Sequence, residues 1–253
     1  MHRSTDMATS ARKTALVTGA GVRIGRATAL ALGETGFNIL VHYRRSEAEA
    51  IAVCRLAEQH GVRAWPIAAD FDEPQASARL IDHAVATAGS LEVLVNNAAG
   101  FPQDDLRSIT CDRLMATMRV NAWAPFELSR IFAERIGRGQ IVNLLDSRIV
   151  DADWTHVSYI LSKHVLAALT KMMAIDYAPK IAVNAVAPGL ILPPPGQPLE
   201  YIEKRTGTVP LKRHGMPEQI ARAVVFLAQS EFMTGEVIFV DGGRHLEEYK
   251  QHG

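Results

Sequence analysis

Seven apolar runs of strand length recur along the chain: TALVT (14–18), FNILVHY (37–43), RAWPIAA (63–69), LEVLV (91–95), QIVNLL (140–145), IAVNAVA (181–187) and EVIFV (236–240). The sequence between most of them has helical periodicity. Parallel strands need a crossover long enough to hold a helix, so this alternation is what repeated βαβ units produce. It predicts helices near 23–35, 46–60, 74–88, 107–136, 156–178 and 217–229. Local signals agree. Ser46 stands before EAEA, Pro74 and Pro217 fall where a first helical turn is expected, and Gly36, Gly61 and Gly89 follow three of the helices. Right-handed crossovers then give an α/β fold, an open doubly wound sheet with ligands at the carboxyl ends of its strands.

Composition fits that class. Apolar residues make up 48% of the 253 and aromatics only 6%, which suits strands covered by helices on both faces. The 27 basic and 27 acidic side chains cancel, so no overall field recruits nucleic acid or an anionic membrane. Cys54 and Cys111 have neither metal-ligand spacing nor the density of a disulfide framework, and a reducing cytoplasmic setting is expected, without a metal. No apolar run reaches the roughly 20 residues that span a bilayer. Residues 1–12 read as a disordered lead, 13–246 as one catalytic domain and 247–253 as a tail. The proline-rich stretch at about 189–216 follows the sixth strand, at the ligand edge, and reads as a substrate loop.

Two segments carry nucleotide chemistry. TGAGVRIG (18–25) joins strand to helix: Gly19 permits a sharp turn, Gly25 permits close packing, and the helix start at Arg23 and Ile24 offers N–H groups to a pyrophosphate. The second strand ends VHYRRS, without the acid that selects NAD through its ribose hydroxyl. Arg44 and Arg45, with Ser46 beside Tyr43 and Arg23 from the first loop, instead suit the 2′-phosphate of NADP. Further along, Tyr159 and Lys163 are four apart on a predicted helix and share a face. An ammonium there is expected to lower the phenol's pKa from its ordinary value near 10, so that the pair can move a proton.

With LVNNAAG (94–100), RVNAWAP (119–125), VNAVAPG (183–189) and VDGG (240–243), these motifs stand in the order and spacing of the short-chain dehydrogenases/reductases, which the chain resembles over about 13–246. The resemblance implies a Rossmann-like seven-stranded parallel sheet, a nicotinamide cofactor, and a homotetramer or homodimer. It implies that Asn97, Ala98 and Ala99 lie along the cofactor, that Asp70 binds its adenine, and that Pro188 and Gly189 pass beside the nicotinamide. Asn121 would anchor a relay water, and Lys163 would hold the nicotinamide ribose. Most relatives have a serine 13 residues before the tyrosine; here that position is Asp146, with Ser147 next to it.

An acid there, with HYRRS and GGRHL (242–246), resembles the pteridine reductase branch. In that branch the acid supplies the ring's proton together with the tyrosine, and an aromatic at the position of Phe101 stacks on the pterin. The chain departs from the branch at Ala99, where a serine is common, and in the sequence of its 190–208 loop. The expected activity is NADPH-dependent reduction of a dihydropterin or dihydrofolate, with Asn121, Asp146, Tyr159 and Lys163 as the catalytic group. Carbonyl reduction by the same fold is the alternative, and nucleotide binding without turnover a third. His156 and His164 flank the pair and read as structural or pocket-lining; Arg148 reads as a rim candidate, and Trp123 and Phe126 as interface candidates.

Overall fold

Seven strands form one parallel sheet in the order β3-β2-β1-β4-β5-β6-β7: β1 Thr14–Val17, β2 Asn38–Tyr43, β3 Ala64–Ala68, β4 Val93–Asn96, β5 Gly139–Leu144, β6 Ile181–Pro188 and β7 Val237–Val240. The computed structural model describes residues 12–194 and 196–246. The expected lead before Arg12 and the expected tail at 247–253 lie outside the described residues. Helices alternate with the strands as α1 Arg23–Glu34, α2 Glu47–Glu58, α3 Ala76–Ala88, α4 Cys111–Met118, α5 Ala124–Arg135, α6 Val157–Asp176, α7 Glu200–Glu203 and α8 Pro217–Gln229. The expected Rossmann-like doubly wound sheet is what forms.

The two-residue side-chain period of a strand divides the core. Along β1, Ala15 and Val17 join a cluster with Leu32 of α1, Val53 of α2 and Val224 of α8. Leu16 points the other way, to Leu80 and Ile81 of α3, Phe132 of α5 and Met173 of α6. Pro66 is accommodated in β3 because that strand is the sheet edge, where a missing N–H costs no ladder bond.

Three local expectations need correction. Pro74 is not in the first turn of α3: the chain turns at 73–76, Ala76 N–H reaching the Glu73 carbonyl at 3.3 Å and Gln75 adopting a left-handed φ of 60°, so the helix starts at Ala76. Ser46 precedes α2 but its side chain accepts no capping hydrogen bond. The helix expected over 107–136 starts only at Cys111 and is interrupted by a π-helical turn, Arg119–Trp123.

At the carboxyl ends of β4 and β5, apolar residues give way to buried amides. Asn96 Nδ2 donates to Asn143 Oδ1 at 2.8 Å and to Ser129 Oγ at 3.1 Å, while Asn143 Nδ2 donates to Thr170 Oγ1 of α6 at 2.9 Å. This chain ties the sheet to the helix that carries Tyr159. Asn143 is fully buried, so replacing it leaves buried partners unsatisfied. Asn143→Ala is expected to lower stability by about 2–3 kcal/mol, read by urea unfolding.

Candidate active site

A cleft of about 720 Å³ opens at the carboxyl edge of the sheet. Its floor is where the strand order reverses between β1 and β4, the position at which open α/β sheets bind ligands. Gly19, Arg23, Ile24, Gly25, Tyr43, Arg44, Arg45, Ser46, Asp70, Asn97, Ala98, Ala99, Phe101, Asp146, Tyr159, Lys163, Pro188 and Gly189 all line it. Asn121 stands behind the lining, fully buried.

The glycine turn is set by close approach. A Cβ on Gly25 would stand 2.2 Å from the Gly19 carbonyl and 2.6 Å from Asn97 Nδ2, and Gly19 itself has a φ of 64°. Thr18 Oγ1 accepts the N–H groups of Asn97 at 2.9 Å and Ala98 at 3.0 Å, locking the loops after β1 and β4 together. His42 adds the loop after β3: its Nδ1 accepts the Gly19 N–H at 3.0 Å, leaving Nε2 to donate to the Ala69 carbonyl at 3.1 Å, and its ring stacks on Phe71. That arrangement needs a neutral ring, and burial pushes the His42 pKa down to about 4.

Arg23 lines the same cleft as Arg44 and Arg45, but its guanidinium donates to the Pro193 carbonyl at 2.7 Å and so ties the glycine loop to the segment after β6. Arg44 lies 3.6 Å from Asp72 and 3.9 Å from Asp70, half exposed. A dinucleotide therefore fits here on the structure's own terms. The turn has no room for a Cβ, and the side chains of Arg23, Arg44 and Arg45 line the same cleft.

At the other end, Asp146 follows β5 and caps a short 3₁₀ turn, Ser147–Val150, through Oδ1 accepting the Arg148 N–H at 2.9 Å. Its Oδ2 accepts the Tyr159 hydroxyl at 3.1 Å. Lys163 Nζ donates to the Leu144 carbonyl at 2.6 Å and sits 5.7 Å from the centre of the Tyr159 ring. Here the structure corrects the expected electrostatics. Burial, and then the Asp146 charge and hydrogen bond, push the Tyr159 pKa well above its ordinary value. The Lys163 ammonium does not offset them: its Nζ is turned to the Leu144 carbonyl, and burial brings its own pKa down to about 8. Tyr159 is thus a protonated donor poised against a carboxylate.

Asn121, in the π-helical turn, clamps both backbone polar groups of Gly100: Oδ1 accepts the Gly100 N–H at 2.8 Å and Nδ2 donates to the Gly100 carbonyl at 2.9 Å. That fixes the chain just before Phe101. The Phe101 ring stacks on His156, centroids 4.0 Å apart, and meets Tyr159 edge-on at 4.5 Å. His156 Nδ1 is 3.2 Å from Asp153 Oδ2, which also pairs with Arg148. Burial alone would raise the Asp153 pKa. The hydrogen bonds from His156 and Thr155, with the Arg148 guanidinium, hold it well below the usual carboxylate range. His164, by contrast, is exposed and lies against the Asp151 carbonyl.

This sheet order, glycine turn and Tyr-x-x-x-Lys pair recur in known proteins. A family model described as enoyl-(acyl carrier protein) reductase matches residues 19–245. The chain belongs to the short-chain dehydrogenase/reductase family. Among curated relatives of this dehydrogenase/reductase, the 3-oxoacyl-[acyl-carrier-protein] reductase FabG of Staphylococcus aureus is 35% identical, covering 92% of this chain and 98% of that one. Versicolorin reductase 1 of Dothistroma septosporum is 34% identical, covering 91% and 95%. A crystal structure of FolM alternative dihydrofolate reductase 1 from Brucella suis in complex with NADP superposes with a TM-score of 0.88 at 31% identity, covering 93% of this chain and 96% of that one.

Sequence reasoning missed His42, Asp153 and the lining role of Arg244. The signal for His42 was present: a polar residue inside the apolar run NILVHY has to be satisfied within the core. Because its folded pKa lies below the ordinary 6.5, the unfolded chain takes up a proton first as pH falls. Stability should be complete above about pH 6.5 and decline toward pH 4, by about 3 kcal/mol from this group. His42→Asn should flatten that part of a stability–pH profile measured by urea unfolding.

Proposed function

We propose that this dehydrogenase/reductase uses NADPH to reduce a dihydropterin or dihydrofolate to its tetrahydro form. The observation that supports it is the contact between Asp146 and Tyr159. A carboxylate at this position accepts N–H donors, which an aminopyrimidine ring supplies in a pair and a simple ketone lacks. The NADP-bound FolM neighbour is consistent with both cofactor and substrate class. When bound, NADPH supplies the hydride.

The side chains manage position and proton. Arg44 and Arg45 hold the 2′-phosphate, Asp70 the adenine, and the Gly19–Gly25 turn the pyrophosphate. Phe101, braced by His156, forms a flat wall for the ring. Asp146 accepts the ring's N–H groups, which releases the Tyr159 hydroxyl from its present partner. Tyr159 then gives its proton to the ring nitrogen, and Lys163, whose ammonium titrates near 8, helps restore it. Asn121 keeps the Gly100 peptide, and with it Phe101, in place and anchors a relay water.

Carbonyl reduction is the second reading, favoured by the names of the FabG and versicolorin reductase relatives. An anionic Asp146 beside a developing alkoxide opposes it. We further propose that one domain, 13–246, does this work in the cytoplasm as a homotetramer or homodimer, with no nucleic-acid or membrane partner. Trp123 near the start of α5 and Met172 and Ile175 of α6 are exposed apolar side chains suited to cover one another between subunits. Among the described residues no helix is long and apolar enough to cross a membrane.

The test follows NADPH absorbance with dihydrobiopterin, dihydromonapterin, dihydrofolate and several ketones. Tyr159→Phe should lower kcat for dihydropterins at least 100-fold, and Asp146→Ser should do likewise while sparing or improving ketones. Ketone turnover alone, indifferent to Asp146, would assign the enzyme to carbonyl reduction. The double variant Arg44→Ala, Arg45→Ala should weaken NADPH binding by about two orders of magnitude and leave NADH binding nearly unchanged, read by cofactor fluorescence.

A further inference from the structure

The first turn of α6, which carries Tyr159, is capped from outside the helix. His156 stands at the N-cap, but its side chain makes no capping hydrogen bond. The N–H groups of that turn go instead to Asp104, in the segment between β4 and α4. Its carbonyl accepts the Val157 N–H at 3.3 Å and its Oδ1 the Ser158 N–H at 3.0 Å, while Oδ2 accepts the Ser158 hydroxyl. The Asp104 N–H donates in turn to the Thr155 carbonyl at 3.1 Å. Free N–H groups at a helix start carry partial positive charge, so an acid placed there is stabilising. Every polar atom of Asp104, a residue only 4% exposed, is thus spent on the start of α6.

Phe101 stands three residues before it. Its ring is 40% exposed, so burial alone does not hold it in place. Its anchors do that: Asn121 grips Gly100 on one side and Asp104 grips α6 on the other, with Arg113 Nη1 on the Gln103 carbonyl at 3.1 Å between them. The rings that Phe101 touches, His156 and Tyr159, belong to the same helix start that Asp104 holds. A short stretch released at one end regains backbone freedom, and an exposed ring on it then samples several positions. Fixed at both ends, it presents one face to the cleft.

We propose that Asp104 is a positioning residue for the substrate. By tying its segment to the start of α6 it sets the place of the Phe101 wall, and it contributes to substrate binding only through that wall. The inference rests on the function proposed above in one respect, that a planar substrate lies against Phe101. Contact with a wall is made alike in the ground state and the transition state, so its loss raises KM and leaves kcat nearly unchanged.

The test is a double-variant cycle in the full-length protein at saturating NADPH, on whichever dihydropterins or aromatic ketones the wild type reduces. Asp104→Ala should raise KM about tenfold with kcat within about threefold, and Asp104→Asn, which keeps an acceptor for the Ser158 N–H, should restore most of the loss. Phe101→Ala should raise KM by a similar factor. The deciding protein combines Asp104→Ala with Phe101→Ala: its KM should match that of Phe101→Ala alone within about twofold. Should Asp104→Ala not fold, Ser158→Ala, which removes only the hydroxyl contact, goes through the same cycle with an expected KM rise of about threefold. NADPH affinity, read by cofactor fluorescence, should stay at the wild-type value throughout, because the glycine turn is held by Thr18, His42 and Asn97. KM effects that multiply, or a loss confined to kcat or to NADPH affinity, would overturn the positioning role. A coupled cycle on ketones alone would keep that role and remove the pterin reaction; pterin turnover with multiplying effects would do the reverse. If the wild type reduces neither, the affinity of oxidised biopterin for the NADP⁺-saturated protein replaces KM in the cycle, and absence of that binding would overturn both.

Discussion

The contact on which the site depends is that between Gly25 and the Gly19 carbonyl. A Cβ at Gly25 would stand 2.2 Å from that oxygen, so α1 can start this close to β1 only with hydrogen in its place. The consequences spread through hydrogen bonds. Gly19, brought in by the turn, donates to His42; His42 donates to Ala69; Thr18 holds Asn97 and Ala98; and Asn97 Nδ2 returns to the Thr18 carbonyl at 2.8 Å. Three loops from three strands are thereby fixed relative to one another before any ligand arrives. Preorganisation of this kind removes ordering cost from binding.

The second half of the cleft is held from a different direction. There the buried amides of Asn96 and Asn143 join β4 and β5 to α6, and Asn121 fixes the peptide before Phe101. The nucleotide end is thus built from backbone geometry, whereas the opposite end is built from side-chain polar groups in a dry interior. Polar groups in such an interior have larger electrostatic effects than at the surface. Burial and neighbouring charge displace the Tyr159, Lys163 and Asp153 pKa values at this end, as burial displaces that of His42 at the other.

Much of this was legible in the sequence because period and glycine placement report directly on backbone. The seven strands appear within a residue or two of their apolar runs, and the glycine turn stands where TGAGVRIG places it. Features set by tertiary contact were not. The π-helical turn at Arg119–Trp123 has no periodic signature, since one residue inserted into a helical ladder leaves the apolar spacing on either side intact. Pro74 suited a helix start by propensity, but the left-handed Gln75 moved the start to Ala76.

The sign of the Tyr159 shift shows most clearly what spacing leaves out. Four residues on a helix place an ammonium near a phenol, and on that fact alone the phenol should become more acidic. Spacing says nothing about a carboxylate arriving from another strand or about the loss of water from all three groups. Once Asp146 accepts the phenolic hydrogen bond and burial acts on both partners, the same Tyr–Lys pair becomes a donor that keeps its proton. Such a donor is matched to a substrate that first occupies the carboxylate. In the proposed reaction, proton release is conditional on the ring's own N–H groups being in place, so one contact would serve both recognition and acid catalysis.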